Sequence, residues 1–185
     1  LAIINQFENS QFFYPGSAVE FDVLFNQTYR KNKINYFRVS DFSHNIKFKK
    51  NQIKFGKGIK LNQGKDLTIV CAASFLDDAI STANILKTKK IETEIIYLHT
   101  LKPIDKKMIF KSVKKTKKVL ILDNFNLNGG LASICMNFLK DIRNLKIENI
   151  SIKNFIHDYG SYDNLKNKAG FNQKNIMIKI KKLFN

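Results

Sequence analysis

Asp66-Leu67-Thr68-Ile69-Val70-Cys71-Ala72-Ala73-Ser74 is the stretch on which the fold turns. Leu67 to Ala72 is an apolar run without in–out alternation. A strand with one wet face alternates apolar and polar residues; a parallel strand covered on both faces does not. The run therefore predicts a buried parallel strand. Behind it, Leu76, Ala79, Ile80, Ala83 and Leu86 repeat at helical spacing. Ser74 and Asp77 are placed to cap that helix, and the acidic pair Asp77-Asp78 meets the positive end of its macrodipole.

Towards the carboxyl end the alternation continues. Glu94 to Leu98 reads as a second strand, and Pro103 stands at the start of a second helix, where its missing N–H costs nothing. Val119 to Leu122 is a third strand. Gly129-Gly130 opens a third helix carrying Leu131, Ile134, Cys135, Phe138, Leu139 and Ile142 on one stripe. Ile147 to Ile152 is a fourth strand, and Asn172 to Leu183 a last, basic helix. Alternating strands and helices predict an α/β domain over residues 66–185, with an open, doubly wound, mostly parallel, Rossmann-like sheet.

Towards the amino end the pattern breaks. Residues 49–65 carry Asn51, Gly56, Gly58, Asn62 and Gly64 without a sustained period. They read as a linker with a short hairpin near Ile53 to Ile59. Residues 1–48 form a different unit. An aromatic run, Gln11 to Tyr14, stops at Pro15-Gly16, a turn signal. A helix follows from about Ser17 to Tyr29, with Phe21, Leu24, Phe25 and Tyr29 at helical spacing and Ser17 with Glu20 in the arrangement of a capping box. Ile34 to Val39 is the next strand. Strand, helix and strand make one βαβ unit, which needs more sheet beside it. It reads as the remnant of a second α/β domain. The start at Leu1, without the basic-then-apolar layout of a signal peptide, leads to the expectation of a longer parent protein.

The apolar fraction of 44% allows a sizeable core, and no apolar run approaches the ~20 residues of a membrane-spanning helix. Cys71 and Cys135 fall on apolar faces and read as buried, reduced thiols of a cytoplasmic protein. The net charge of +17 raises a nucleic-acid reading. However, only Arg30, Arg38 and Arg143 are arginines; the other basic residues are lysines scattered among isoleucines and asparagines. Arginine is the better fork for phosphate, so the charge reads as solvated surface, and no specific nucleic-acid partner is expected.

In open α/β sheets ligands gather beyond the carboxyl ends of the strands. Those ends here are Ala73-Ser74, His99-Thr100, Asp123-Asn124 and residues 154–157. Asp123 to Ser133 is the most suggestive segment, since Gly129 and Gly130 lead into a helix whose first N–H groups can bind an anion. Two readings stand: a phosphate or nucleotide site, or a tight turn with close helix–sheet packing. Without G-x-G-x-x-G or G-K-[ST], the motif does not separate them. His44, His99 and His157 lack the spacing of metal ligands and read as ordinary polar surface. No serine elbow or paired-carboxylate arrangement is present, so no catalytic residue is assigned.

Several segments, taken in order, resemble one family. Tyr14-Pro15-Gly16-Ser17-Ala18-Val19-Glu20-Phe21 resembles the "P-x-D-A-x-E" segment near the end of the pyrimidine-binding domain of transketolases, and Ile34-Asn35-Tyr36-Phe37-Arg38-Val39 that domain's last strand, "P-x-Y-x-R-L". Phe55-Gly56-Lys57-Gly58 with Gly64-Lys65-Asp66-Leu67-Thr68-Ile69-Val70 is similar to the entry into the carboxy-terminal domain. Leu101-Lys102-Pro103-Ile104-Asp105 is similar to "(I/L)-K-P-(I/L)-D". Leu120-Ile121-Leu122-Asp123 followed by Gly129-Gly130-Leu131-Ala132-Ser133 resembles "V-x-V-E-E … G-G-L-G-S", with Ala132 in place of a glycine and Asp123-Asn124 in place of the acidic pair. The stretch from Phe155 to Gly160, then Leu165 and Gly170-Phe171, fits the closing "F … G … L … G-L".

The resemblance implies a carboxy-terminal section of a transketolase-type enzyme, transferring a two-carbon ketol unit between sugar phosphates. The intact enzyme would bind thiamine diphosphate and Mg2+ through residues upstream of Leu1, none of them in this chain, at the interface of a homodimer or with a paired amino-terminal subunit. This section would mainly support assembly. Arg38 matches an arginine that reaches the substrate phosphate in such enzymes, although Asp41 stands where some relatives carry a second arginine. The other reading of Arg38 is a salt bridge at a strand end. Deoxyxylulose-phosphate synthase and the beta subunit of 2-oxoacid dehydrogenases share the architecture and are the enzymatic alternatives. A non-catalytic, basic anion- or nucleic-acid-binding module is the alternative of another class.

Overall fold

The computed structural model describes residues 1–153 and 157–185. A short helix α1 (Ala2–Gln6) leads into β1 (Ser10–Phe13), α2 (Ala18–Thr28) and β2 (Ile34–Phe37). After a 3-10 turn at Lys50–Gln52 come β3 (Ile59–Lys60), β4 (Leu67–Ala72), α3 (Phe75–Thr88), β5 (Thr93–Leu98), β6 (Thr100–Lys102), α4 (Lys106–Thr116) and β7 (Lys118–Asn126). Then follow α5 (Leu131–Leu139), β8 (Lys146–Ile152), α6 (Tyr162–Lys168) and α7 (Gln173–Phe184).

The apolar run is β4, at the centre of a five-stranded sheet ordered β3-β5-β4-β7-β8. Its neighbours β5 and β7 are parallel to it, as is β8 to β7. Side chains alternate across the sheet. Val70 and Ala72 face one core with Ile109 and Val113 of α4 and Leu131, Cys135 and Leu139 of α5. Ile69 and Cys71 face another with Leu76, Ala79 and Leu86 of α3 and Ile176, Ile180 and Leu183 of α7. Helices cover both faces, so the sheet is doubly wound. Cys71 and Cys135 are buried free thiols. No helix among the described residues is long and apolar enough to cross a membrane.

The amino-terminal βαβ unit forms as the pattern predicts: β1 and β2 are parallel, with Ser10 opposite Ile34 and Phe13 opposite Phe37. The extra sheet it needs comes from an element with no sequence signal. Strand β6 pairs antiparallel with the other edge of β1, giving a sheet ordered β2-β1-β6. Cores are shared as well. Phe12 and Tyr14 belong to the same buried cluster as Val70, Ile121 and Phe125. Phe13 packs on the opposite face, with Leu24 of α2 and Ile53 of the linker.

Four local expectations are corrected. The linker holds no hairpin at Ile53 to Ile59; instead Ile53 is buried beside Phe13, and β3 joins the edge of β5 antiparallel, with Ile59 opposite Tyr97. A ready strand edge satisfies the linker's backbone more simply than a strand of its own. Pro103 does not start α4. It sits in a turn after a cis bond to Lys102, and Asp105 is the N-cap, accepting from the Met108 N–H at 3.1 Å. Ser74 makes no capping bond, because its ψ of −15° is helical where a cap needs extended backbone. Its hydroxyl meets that of Tyr162 at 3.2 Å, and Asp77 accepts from Asn45 instead. Of the Ser17–Glu20 box only one half forms: Ser17 Oγ accepts from the Glu20 N–H, while the Glu20 carboxylate turns into the interior. The resemblance at Phe155 and the strand end at residues 154–157 fall partly on residues 154–156, outside the described residues.

Because Phe12 is 1% exposed and lies in the core of the larger sheet, the two sheets should unfold together. Phe12→Ala is expected to cost about 3–5 kcal/mol. In urea, followed by circular dichroism, it should shift one common transition to lower denaturant. A separate transition that stays in place would contradict the shared core.

Candidate functional site

The carboxyl ends of β1, β2 and β7 converge at one place. Just past β2, the Arg38 N–H donates to the Phe13 carbonyl at 2.9 Å, which continues the ladder and fixes the residue's position. Just past β1, the Tyr14 N–H donates to the His99 carbonyl at 2.9 Å. β7 runs four residues beyond the predicted Leu122 end, carrying Asn124 and Phe125 to the same spot.

The Arg38 side chain lies over two aromatic rings. Its guanidinium carbon is 4.8 Å from the centre of Tyr14 and 4.4 Å from that of Phe125. These rings meet edge to face at 5.5 Å. The Tyr14 hydroxyl is within hydrogen-bond distance of both the Asn124 Oδ1 and Nδ2, at 3.1 and 2.9 Å. Arg38 is half-buried, and among the described residues no carboxylate lies within ion-pair distance of it, although its charge favours ionised Asp123 from further away. The salt bridge weighed from sequence is thus replaced by a cation–π seat. Among the described residues no hydrogen bond occupies the guanidinium N–H groups, which leaves donors for an anionic, bidentate acceptor. Burial raises the Tyr14 phenol above its ordinary value, partly countered by Arg38 and Asn124, so the ring stays neutral.

The start of α5 holds an anion, and it belongs to the chain. Asp123 accepts from the Phe125 N–H at 2.9 Å and from the Ala132 N–H at 3.1 Å, and Leu131 adds a further backbone bond. Gly130 allows a close approach: a Cβ there would stand 2.4 Å from the Asn126 carbonyl oxygen and 2.9 Å from the Phe125 Cβ. Gly129 has a φ of +79° and lies against Ala2 of α1. Both glycines serve the tight turn and close packing, and an external anion at this helix start would have to displace Asp123.

A third group was invisible as a site in the sequence. Glu20 is 0% exposed. Its carboxylate accepts from the Gly16 N–H at 2.9 Å and from the Tyr97 hydroxyl at 2.6 Å, and pairs with His44 Nε2 at 2.6 Å. A helix from the first unit, a histidine of the loop after β2 and a strand of the larger sheet meet there. His44 is therefore buried rather than surface. His99 is also fully buried, with Nδ1 3.1 Å from the Thr100 hydroxyl, and burial lowers its pKa to about 4, leaving it neutral. His157 lies elsewhere, lining a cavity of about 590 Å³ beside β8 with Lys153, Lys168 and Asn175. Glu94, paired with Lys60 and Lys115, sits at the amino end of β5, away from the strand ends where ligands gather.

Burial favours the protonated form of Glu20, but the bonds from His44, Tyr97 and Gly16 outweigh it, and its pKa lies below the ordinary value. Tyr97→Phe keeps the ring and removes one donor to a buried charge, so it should cost about 1.5–3 kcal/mol in denaturant unfolding. Asp123 behaves oppositely. Burial pushes it from 3.8 up to about 6, against the backbone bonds from Phe125, Ala132 and Leu131 and the Arg38 charge. The cost of ionising it in the folded chain is absent below the ordinary aspartate range and complete above about pH 6, so stability falls as pH rises through that window. The contributions of Glu20 and Glu94, both depressed, are instead lost as pH falls below the ordinary glutamate range. Asp123→Asn should flatten the fall between about pH 4.5 and 6.5, read as urea midpoints at the two values.

Comparison with known proteins follows the same lines. Residues 56–176 match the family described as "Transketolase, C-terminal domain". A 6-deoxy-6-sulfo-D-fructose transketolase subunit of Clostridium sp. (strain MSTE9) is 28% identical over 126 residues, covering 68% of this chain and 39% of that protein. The pyruvate dehydrogenase E1 component subunit beta of Rickettsia bellii is 32% identical over 127 residues, covering 66% of this chain and 38% of that protein. A solved split-gene transketolase, an inactive β4 tetramer, superimposes with a TM-score of 0.90 over 99% of this chain and 60% of its own, at 22% identity, a likeness of fold. The chain thus spans well under half of either curated relative. With the match extending over more than half of its residues, this chain belongs to the transketolase C-terminal domain family.

Proposed function

We propose that this chain is the carboxy-terminal section of a thiamine-diphosphate-dependent transketolase-type enzyme, in which Arg38 holds the phosphate of a sugar phosphate during transfer of a two-carbon ketol unit. The observation that carries the reading is the state of Arg38. It is a half-buried guanidinium at the carboxyl ends of parallel strands, seated on two rings and with no carboxylate within ion-pair distance among the described residues. Such a group is best completed by an anion brought by a ligand. The clostridial relative is named for a sulfo-sugar, whose anionic end asks for the same fork.

Thiamine diphosphate and Mg2+ belong, in this reading, to other parts of the assembled enzyme. Among the described residues no group of three or more His, Cys, Asp or Glu is placed to hold a metal ion. The glycine-led helix start is taken by Asp123. In this reading the contribution of this chain is to bind substrate and to assemble.

A surface for assembly is present. Phe21, Phe25 and Tyr29 stack along α2 at 5.8 and 5.2 Å while remaining 37%, 43% and 44% exposed. The outer edge of β2 beside them pairs with no strand among the described residues. Exposed aromatic stripes and open strand edges are surfaces that proteins cover. Their proposed cover is a homodimer mate or a paired amino-terminal subunit, in a cytoplasmic enzyme.

The rickettsial relative supports a second reading, the beta subunit of a 2-oxoacid dehydrogenase. Arg38 favours the sugar-phosphate reading, since a small 2-oxoacid has no distal phosphate to place. The test is ketol transfer from xylulose 5-phosphate to ribose 5-phosphate by the assembled enzyme with thiamine diphosphate and Mg2+. Activity is expected to require the cofactor and to fall at least about tenfold in kcat/KM in Arg38→Ala, the scale of one lost charge-assisted contact. Turnover of pyruvate but not of the sugar phosphates would favour the second reading. No activity and no thiamine diphosphate binding by calorimetry would return attention to the basic surface, whose nucleic-acid affinity would fall steeply with salt.

A further inference from the structure

We infer that Phe125 and Asn124, in the larger α/β domain, are positioning residues for the substrate arginine of the smaller unit, so that the carboxy-terminal domain sets substrate affinity as well as assembly. This inference rests on the phosphate-binding reading of Arg38. An arginine on a flexible stem loses rotamer freedom when it clamps an anion, and a seat that orders it beforehand removes that cost. Both rings of the seat answer to the end of β7. Phe125 supplies one ring itself, 4.4 Å from the guanidinium carbon. Asn124 holds the other, through its contacts of 2.9 and 3.1 Å with the Tyr14 hydroxyl.

Phe125 is in turn held from several sides. Its N–H donates to Asp123, its ring meets Phe12 at 5.8 Å and Tyr14 at 5.5 Å, and its Cβ abuts Gly130 so closely that no side chain could stand there. The turn from Asp123 to Gly130, which resembles an anion-binding loop in sequence, thus acts on an anion through Arg38. Asp123 anchors the loop, Gly130 admits the ring, and the ring orders the guanidinium.

The test is a set of KM measurements on the assembled enzyme, using a phosphorylated acceptor (ribose 5-phosphate) and an unphosphorylated one (glycolaldehyde). Phe125→Leu keeps an apolar side chain and removes the ring. It is expected to raise KM for ribose 5-phosphate about three- to tenfold, the worth of one cation–π contact, with the effect on KM rather than kcat and none on KM for glycolaldehyde. Phe125→Tyr should restore the low value. In an Arg38→Ala background Phe125→Leu should add nothing, because the seat then has no occupant. Should Phe125→Leu fail to assemble, Asn124→Ala, which leaves the core packing in place, is expected to raise the same KM about two- to threefold, again only when Arg38 is present.

The inference is overturned if Arg38→Ala raises KM for ribose 5-phosphate while Phe125→Leu and Asn124→Ala do not. It is equally overturned if their effects persist undiminished in the Arg38→Ala background or fall alike on both acceptors, since the residues would then be merely structural. An unchanged KM in Arg38→Ala itself would remove the phosphate-binding reading and this inference with it.

Discussion

Strand β1 is buried on both faces and paired on both edges, and that requirement organises the rest of the molecule. Phe12 and Phe13 point to opposite sides of the pleat, so each needs its own cover. Phe13 finds it in Leu24 of α2 and Ile53 of the linker, which ties the linker down. Phe12 finds it in the core of the larger sheet. Its second edge takes β6, a strand of only three residues that leaves the larger domain for one pairing and returns through Pro103. The carboxyl ends of β1, β2 and β7 are brought together by the same packing. The seat of Arg38 is a consequence of covering one aromatic pair.

Charge follows a similar division. The excess of lysines lies largely on the outside, while the buried charges are few and each is answered. Glu20 is answered by His44, Tyr97 and Gly16, Glu94 by Lys60, Lys115 and Ser112, and Asp123 by the amides that open α5. A buried charge without such partners would neutralise or unfold the site. Glu20 has an added effect. Because its partners come from three segments, its hydrogen bonds tie the smaller unit to the larger sheet. Gly16 is required at that junction, since a Cβ there would stand 2.5 Å from both His44 and the Tyr97 hydroxyl. Arg38 is the contrast: it is answered by rings, and among the described residues no hydrogen bond occupies its donors.

Much of this was legible in the chain. The run from Leu67 to Ala72, the helical stripe from Leu76 and the basic amphipathic tail each formed within a residue or two of expectation, because their pattern is set by local period and by burial on known faces, while the helix from Leu131 ends at Leu139, short of the expected Ile142. The aromatic run and the turn at Pro15-Gly16 marked the βαβ unit for the same reason. The resemblance to transketolases came from short segments in a fixed order, and it singled out Arg38 by position. By contrast, Tyr97 read as one more apolar strand residue and His44 as a loop histidine, since nothing in their neighbours announces a carboxylate from 77 and 24 residues away. β6 and α6 are too short to show a period.

What the amino-acid sequence determined by itself is therefore the main strands and helices, their parallel arrangement and the family, because these depend on periodicity, composition and turn chemistry along contiguous residues. What only the tertiary structure decided is where the polar groups are spent. It placed Asp123 rather than a ligand at the start of α5, buried His44 against Glu20, and set Tyr14 and Phe125 around Arg38. Hydrogen bonding and ring contacts act over a few ångströms in space, between residues brought together from across the chain, and no local pattern specifies which of the available partners the packing will deliver.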